Sequence, residues 1–327
     1  MCGDFMLIAA SSSLLLCLFL SPKFIAFLQT RSFGQEIREE LIQHLGKKGT
    51  PTMGGIVVVI AFGIPYLILS TRDARSLGVF AAVVACALLG FGDDYLKIRL
   101  RRSLGLRARA KLGGTILISV MLWFIATRWG HVSSSISLRP FHGHIDLGPF
   151  FVVFIYLVVA ATTNGVNLTD GVDGLAAGCA AIALVTYMAI TFITPGSHDL
   201  ELAAGCLAGA TIGFLWFNCF PASILMGDTG ALALGGGIAA LAVMTNTEIL
   251  LVIIGGIFVI ETLTVMIQVF SFKRFGRRVF KMTPIHHHFE IEAWSETKIM
   301  LRFWIFAGAC GAGGFVLYQH SLPIVTH

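Results

Sequence analysis

The sequence predicts an all-α polytopic integral membrane protein of about ten transmembrane helices, and three observations carry that prediction. Of 327 residues, 56% are hydrophobic and only 13% charged, about half the charge of a soluble domain, and mean hydropathy is +0.83. Ten apolar stretches approach or reach the ~20 residues needed to cross a hydrocarbon core: 5–28, 52–70, 77–96, 112–128, 148–163, 174–194, 200–220, 230–244, 249–270 and 299–319. Between them, basic residues collect in alternate loops. Little chain is left for a soluble domain, so residues 1–327 read as a single transmembrane domain.

Each element follows in order from these breaks. The first run, Phe5 to Leu20, has no basic segment before it and Lys23 after it, so it is expected to be a retained helix with its N-terminus outside. Loops 31–50, 93–111, 164–173, 221–229 and 271–298 carry 17 Lys and Arg. The four opposite loops, counted with Arg128 at a helix end, carry four, and Lys23 and Arg302 lie at other helix ends. The basic side should face the cytoplasm, and an even number of crossings leaves both termini on the extracytoplasmic side. The cysteines (Cys2, Cys17, Cys86, Cys179, Cys206, Cys219 and Cys310) lie mostly in apolar runs without a Cys-x-x-Cys pair, which argues against a disulfide scaffold and a zinc cluster.

The same sorting divides the aspartates. Asp93, Asp94, Asp170, Asp173 and Asp228 fall on the basic side, whereas Asp4, Asp73, Asp146 and Asp199 occupy ordinary loops opposite. Acidic residues at the edge of hydrocarbon are functional candidates, and these five can converge on one pocket. A transporter would place its coupling charges near the midplane between inverted repeats, and no such repeat is visible. A divalent-cation channel or a binding protein would account for the aspartates and leave the basic loops unexplained.

The motifs carry the chemistry. His44-Leu-Gly-Lys-Lys-Gly-Thr-Pro-Thr-Met-Gly-Gly55 sets Lys48 and a breaker-rich turn before the second helix, suited either to an anion or simply to fixing topology. In Gly92-Asp-Asp-Tyr-Leu-Lys97, Asp93 and Lys97 share a helix face while Asp94 points about 100° away. One carboxylate can hold a divalent metal while the other meets a substrate proton. Seven basic residues between Lys97 and Lys111 suit anionic lipid heads, and Lys111, opening the fourth helix, can face a phosphate.

Asn164-Gly-Val-Asn-Leu-Thr-Asp-Gly-Val-Asp-Gly174 lacks EF-hand spacing and reads as a phosphate- or ribose-binding turn with Asn167, Asp170 and Asp173. After Asn218, the loop Pro221-Ala-Ser-Ile-Leu-Met-Gly-Asp-Thr-Gly230 offers Asp228 between glycines. Mg²⁺ prefers one or two carboxylates plus phosphate oxygens, so Asp228 suits a ligand, and a helix stop suits it equally. The last loop holds His286, His287 and His288 near Arg277, Arg278 and Lys281. Three consecutive histidines cannot easily all bind one ion, so hydrogen bonding to a diphosphate or sugar is the more economical role.

Together, Lys48-Gly-Thr-Pro-Thr-Met-Gly-Gly, Gly-Phe-Gly-Asp-Asp-Tyr-Leu-Lys, Val-Asn-Leu-Thr-Asp-Gly-Val-Asp-Gly-Leu-Ala, Met-Gly-Asp-Thr-Gly and Pro-Ile-His-His-His-Phe-Glu resemble the phospho-N-acetylmuramoyl-pentapeptide transferase family, within the polyprenyl-phosphate N-acetylhexosamine 1-phosphate transferases. The resemblance spans essentially the whole chain. It implies transfer of phospho-N-acetylmuramoyl-pentapeptide from UDP-N-acetylmuramoyl-pentapeptide to undecaprenyl phosphate, giving lipid I and UMP for peptidoglycan synthesis. It further implies a multi-pass protein of the bacterial cytoplasmic (inner) membrane with its active site facing the cytoplasm, membrane lipid around it and no nucleic-acid partner. A homodimer is compatible with the composition, because lipid-facing and partner-facing apolar surfaces look alike.

Carried over by motif, Asp93, Asp94 and Asp228 are the catalytic acidic centre. Mg²⁺ is implied as cofactor, on Asp228 with Asp94. Lys48, Lys111, Asn167, Asp170, Asp173, Asn218, His286, His287 and His288 are then substrate-pocket residues. Asp93 is expected to bind or deprotonate the lipid phosphate in a direct displacement, with a covalent aspartyl intermediate as the competing route. Three departures stand out: Leu225 replaces an aromatic expected to stack on uracil, Ser223 replaces a Glu after Pro-Ala, and Arg109-Ala-Lys-Leu-Gly-Gly-Thr115 lacks glutamines around the lysine. Transfer of N-acetylglucosamine 1-phosphate is the rival within the enzyme class.

Overall fold

Pairing of small residues sets how the helices of this chain approach one another. A computed structural model describes residues 2–30, 49–100, 102, 104–138 and 143–321. It comprises α1 (Cys2–Thr30), α2 (Gly55–Leu69), α3 (Ala74–Arg99), α4 (Ala108–Phe124), a β-hairpin of β1 (Ser135–Leu138) and β2 (Gly143–Asp146), α5 (Phe151–Thr169), α6 (Leu175–Ile193), α7 (His198–Asn218), α8 (Gly227–Met244), α9 (Glu248–Ile254), α10 (Gly256–Phe275), α11 (Ile285–Ile291) and α12 (Glu296–His320). Among the described residues, nine helices are long and apolar enough to cross a membrane, and α2 is a shorter apolar helix. The chain is therefore an all-α polytopic membrane protein. Its one sheet among the described residues is the antiparallel hairpin, registered Ser135 to Asp146 and Leu138 to Gly143.

The most enclosed of the long helices is α8, with every residue from Thr229 to Met244 buried. It can be central because it is built from Gly and Ala, which let neighbouring backbones approach. A Cβ on Gly235 would lie 2.6 Å from Thr163 Cα of α5, and one on Gly236 would lie 2.5 Å from Cys86 Sγ of α3. The same device recurs along α7, where Gly205, Gly209 and Gly213 face Met6, Ala10 and Leu14 of α1. Such spacing at every fourth residue leaves one flat helix face.

The helices differ from the hydropathy reading in three ways. Helix α3 runs to Arg99 and α5 to Thr169, while α4 starts at Ala108 and α8 at Gly227, so Asp93, Asp94, Lys97, Lys111, Asn164, Asn167 and Asp228 are helical and not in loops. Charge and amide groups end an apolar run, but a helix continues wherever tertiary partners satisfy them. The expected 249–270 span is broken at Gly255 into α9 and α10, where adjacent Gly255 and Gly256 weaken the helix. The His segment, expected in a loop, forms the short helix α11.

Candidate active site

Two glycines bring the site together. A Cβ on Gly90 of α3 would lie 2.2 Å from the Asp228 carbonyl oxygen, and one on Gly55 of α2 would lie 2.1 Å from the Gly230 amide nitrogen. The start of α8 is thus pressed against α3 and α2 backbone to backbone. Residues 51–55 clasp the loop before it: Leu225 N–H donates to Pro51 carbonyl at 2.8 Å, Gly54 N–H to Leu225 carbonyl at 2.9 Å, and Gly55 N–H to Met226 carbonyl at 3.0 Å. The Leu225 side chain is not needed for this pairing, which uses only its backbone.

At this junction Asp93, Asp94 and Asp228 each offer a carboxylate oxygen, all within 4.8 Å of one another. Helix α8 has no capping side chain of its own, and Asp94 supplies the cap from α3. It accepts Thr229 N–H at 2.9 Å, Thr229 Oγ1 at 2.7 Å and Asp228 N–H at 3.2 Å, satisfying amides that a helix start leaves open. Gly227 has φ 72°, a backbone state that favours glycine, and a Cβ there would sit 2.7 Å from Asp94 Oδ2.

Asp93 and Asp228 are held differently. Lys97 Nζ lies 2.7 Å from Asp93 Oδ2, 3.1 Å from Asp228 Oδ1 and 3.8 Å from Asp94 Oδ1. Lys111 Nζ of α4 lies 3.0 Å from Asp93 Oδ1 and 2.8 Å from Asp228 Oδ2. Leu106 N–H donates to Asp93 Oδ1 at 2.7 Å and Asn167 Nδ2 to Asp228 Oδ1 at 2.9 Å. Three carboxylates thus face two ammonium groups. An all-oxygen carboxylate set is the donor chemistry that fits a hard divalent cation such as Mg²⁺.

Of the sequence-selected residues, Asp93, Asp94, Asp228, Lys111 and Asn167 meet here. Lys48 lies outside the described residues. Asp173 accepts Ala222 N–H at 2.9 Å and Asn218 Nδ2 donates to Ile224 carbonyl at 2.9 Å, so both brace the 219–226 loop. Asp170 closes the end of α5, its N–H donating to Asn167 carbonyl at 3.3 Å.

The three histidines have three environments. His286 is fully enclosed and pairs with Glu261, His287 pairs with Glu290, and His288 Nδ1 accepts Lys281 N–H at 3.1 Å. Lys281 Nζ sits 2.5 Å from Glu292, and that hydrogen bond holds the Glu292 carboxyl below its usual range. Sequence reasoning missed Lys97 as a site residue, although its i, i+4 spacing from Asp93 was the available signal.

Beside Lys111 an apolar cavity of about 270 Å³ opens between α3, α4, α5 and α8, lined by Cys86, Leu89, Leu112, Thr115, Tyr156 and Leu232. The charged centre thus lies at the ends of apolar helices and beside an apolar cavity, and the sequence model of Glycosyl transferase family 4 matches residues 76–246. The phospho-N-acetylmuramoyl-pentapeptide-transferase signature 1 matches residues 47–59. Proteins named phospho-N-acetylmuramoyl-pentapeptide-transferase are similar over nearly the whole length. That of Rubrobacter xylanophilus is 46% identical over 310 residues, 93% of this chain and 94% of its own. That of Desulfitobacterium hafniense is 40% identical over 328 residues, 96% and 98% respectively. The chain belongs to the phospho-N-acetylmuramoyl-pentapeptide-transferase family and is a transferase.

Proposed function

We propose that this transferase moves phospho-N-acetylmuramoyl-pentapeptide from UDP-N-acetylmuramoyl-pentapeptide to undecaprenyl phosphate, forming lipid I and UMP at the cytoplasmic face of the bacterial inner membrane. The observation that carries the reading is the cluster of Asp93, Asp94 and Asp228 threaded by Lys97 and Lys111. Family membership supplies the substrates, and the basic loops on the site's side supply the orientation. Ten crossings, counting α2, would leave both termini outside and residues 1–327 as one catalytic domain.

The reaction exchanges one phosphate-bearing partner for another, so the protein's work is positioning and charge neutralisation. An oxygen of the lipid phosphate attacks the donor phosphorus next to the sugar. The bond from that phosphorus to the bridging oxygen breaks, and UMP leaves with the electron pair. Asp93 receives the proton of the lipid phosphate, and Lys111, which lines the apolar cavity, pairs with the phosphate while only the first isoprene units of the prenyl chain enter that cavity and the rest lies in the bilayer. Lys97 neutralises charge growing on the leaving UMP. Asp228, with Asp94 beside it, would hold Mg²⁺, whose chemistry is Lewis-acid stabilisation of the diphosphate. Asp94 also keeps the α8 start, and hence Asp228, in place.

Asn167, Asp170, Asp173 and the His286–His288 segment serve the donor's diphosphate, ribose or sugar, and Lys48 adds a further cation. Incubating the purified protein and undecaprenyl phosphate with each uridine diphosphate sugar tests the reading through UMP release. UMP is expected with the muramoyl-pentapeptide donor and not with UDP-N-acetylglucosamine. The opposite pattern overturns it. Donor without acceptor should release no stoichiometric UMP, and a labelled protein would replace the direct displacement with a covalent route.

A further inference from the structure

The apolar helix α10 carries one buried acid, Glu261, while its neighbours Ile260, Leu263, Met266 and Ile267 are exposed. A carboxylate inside a spanning helix is costly unless paired, and such a residue asks for a reason. Its partner comes from 25 residues further on: His286 Nδ1 lies 3.0 Å from Glu261 Oε1, and both side chains are 0% exposed. A carboxylate at Nδ1 makes that nitrogen the protonated one and turns Nε2 to the opposite side of the ring. On that side lies Gly171, where an added Cβ would stand 2.3 Å from His286 Nε2, 3.0 Å from Cε1 and 3.2 Å from Cδ2. The ring edge therefore abuts the backbone of the turn between Asp170 and Asp173. Glu261 Oε2 and His286 Nε2 have no hydrogen-bond partner among the described residues, so the pair is not spent on a wider polar network.

One bond beside this turn reaches the acidic centre and one from the turn reaches the loop before α8. Asn167, one helical turn before Gly171, donates to Asp228, and Asp173 accepts the Ala222 amide of the loop leading into α8. Helix α10 is itself seated on α5, since a Cβ on Gly165 would lie 3.0 Å from Phe258 Cβ.

We propose that Glu261 is a positioning residue that holds His286 against Gly171 and so fixes the Asp170–Asp173 turn where the uridine diphosphate sugar is held. The proposal rests on the transferase reading above. Glu261 touches no substrate; it acts through the ring. His286, being enclosed, serves donor binding through the turn it braces.

Three variants in membrane nanodiscs test this, read by hydrogen exchange, thermal midpoint and separate KM values for donor and lipid acceptor. Glu261→Ala should raise exchange in residues 167–175 and raise the donor KM about tenfold, the scale of a small displacement of binding groups, with the acceptor KM within about twofold. Glu261→Gln, which keeps an oxygen for the Nδ1 proton, should recover most of the donor KM. Gly171→Ala pushes on the same contact from the other side and should reproduce the donor effect with Glu261 intact. Wild-type exchange in 167–175 for Glu261→Ala overturns the proposal, as does loss of kcat and thermal midpoint with the donor KM unchanged in all three. If the wild-type protein releases no UMP, the transferase reading fails, and the exchange data still decide whether the clamp exists.

Discussion

The two ends of α3 both bury carboxylates, and different donors satisfy them. At the start, Asp199 of α7 accepts Thr71 N–H at 3.1 Å, Thr71 Oγ1 at 2.5 Å and Asp73 N–H at 2.9 Å, and Asp73 in turn caps α3 through Ser76 N–H at 2.9 Å. At the other end, Asp93 and Asp228 are held chiefly by the ammonium groups of Lys97 and Lys111. Backbone amides are fixed, so a carboxylate saturated by them is a structural cap. An ammonium on a flexible stem can move aside when a phosphate or cation arrives. Asp94, although adjacent in sequence to Asp93, is bound like Asp199, by two amides and a hydroxyl. The acidic centre thus combines one cap with two exchangeable carboxylates.

The sharpest break of this comparison is Asp228→Asn. It keeps the shape and the Asn167 contact region but removes the charge shared by both lysines, and turnover should fall on the order of 10³-fold with the thermal midpoint unchanged. UMP release alongside thermal unfolding measures both. A matching loss of stability would make Asp228 a cap like Asp199.

Next come Asp93→Asn and Asp94→Asn as a pair. Asp93→Asn should cost roughly 10²-fold in turnover, the scale of removing an acid–base group, with little change in stability. Asp94→Asn should lower turnover and also remove about 1–2 kcal/mol of stability, as loss of a helix cap does. Identical defects in the two variants would erase the distinction drawn from their donors.

Much of this was legible from residues alone. The ten apolar stretches locate the helices, and the spacing of Asp93 and Lys97 forecasts their pairing at 2.7 Å. What hydropathy could not show is where helices continue past their apolar runs. Helix α5 extends through Asn167 because Asp228, 61 residues away, accepts its amide. The break at Gly255 lies inside an unbroken apolar run. The clasp of Pro51, Gly54 and Gly55 on residues 225–226 uses backbone atoms only and so leaves no side-chain period. Glu261 stood as a single acid in an apolar helix whose partner no local pattern names.

Lys97→Met separates the two lysines' roles with a smaller effect. Lys97 reaches all three carboxylates, so it shares them with any cation bound there. Its removal should lower turnover about tenfold, as for a lost charge contact in the transition state. The Mg²⁺ concentration giving half-maximal turnover should fall, because a competing positive charge is gone. A magnesium titration reads this directly, and a rise in the requirement would show that Lys97 does not compete for those oxygens.

The smallest effect on chemistry should come from Asp199→Asn at the opposite end. Asn offers one acceptor oxygen where Asp199 uses two, so one of its three bonds must be lost or its amide turned toward a donor. The expected result is about 1 kcal/mol of lost stability and turnover per folded molecule within about twofold of wild type. Because Asp93 lies about 20 residues along α3 from its cap Asp73, the two sites are about 30 Å apart at 1.5 Å per residue, beyond direct electrostatic reach at physiological salt. A large loss of turnover with the folded fraction preserved would mean that α3 transmits displacement along its axis to Asp93. The close seating of Gly90 on Asp228 would then be its point of delivery, and a cap at one end of α3 would tune the charge cluster at the other.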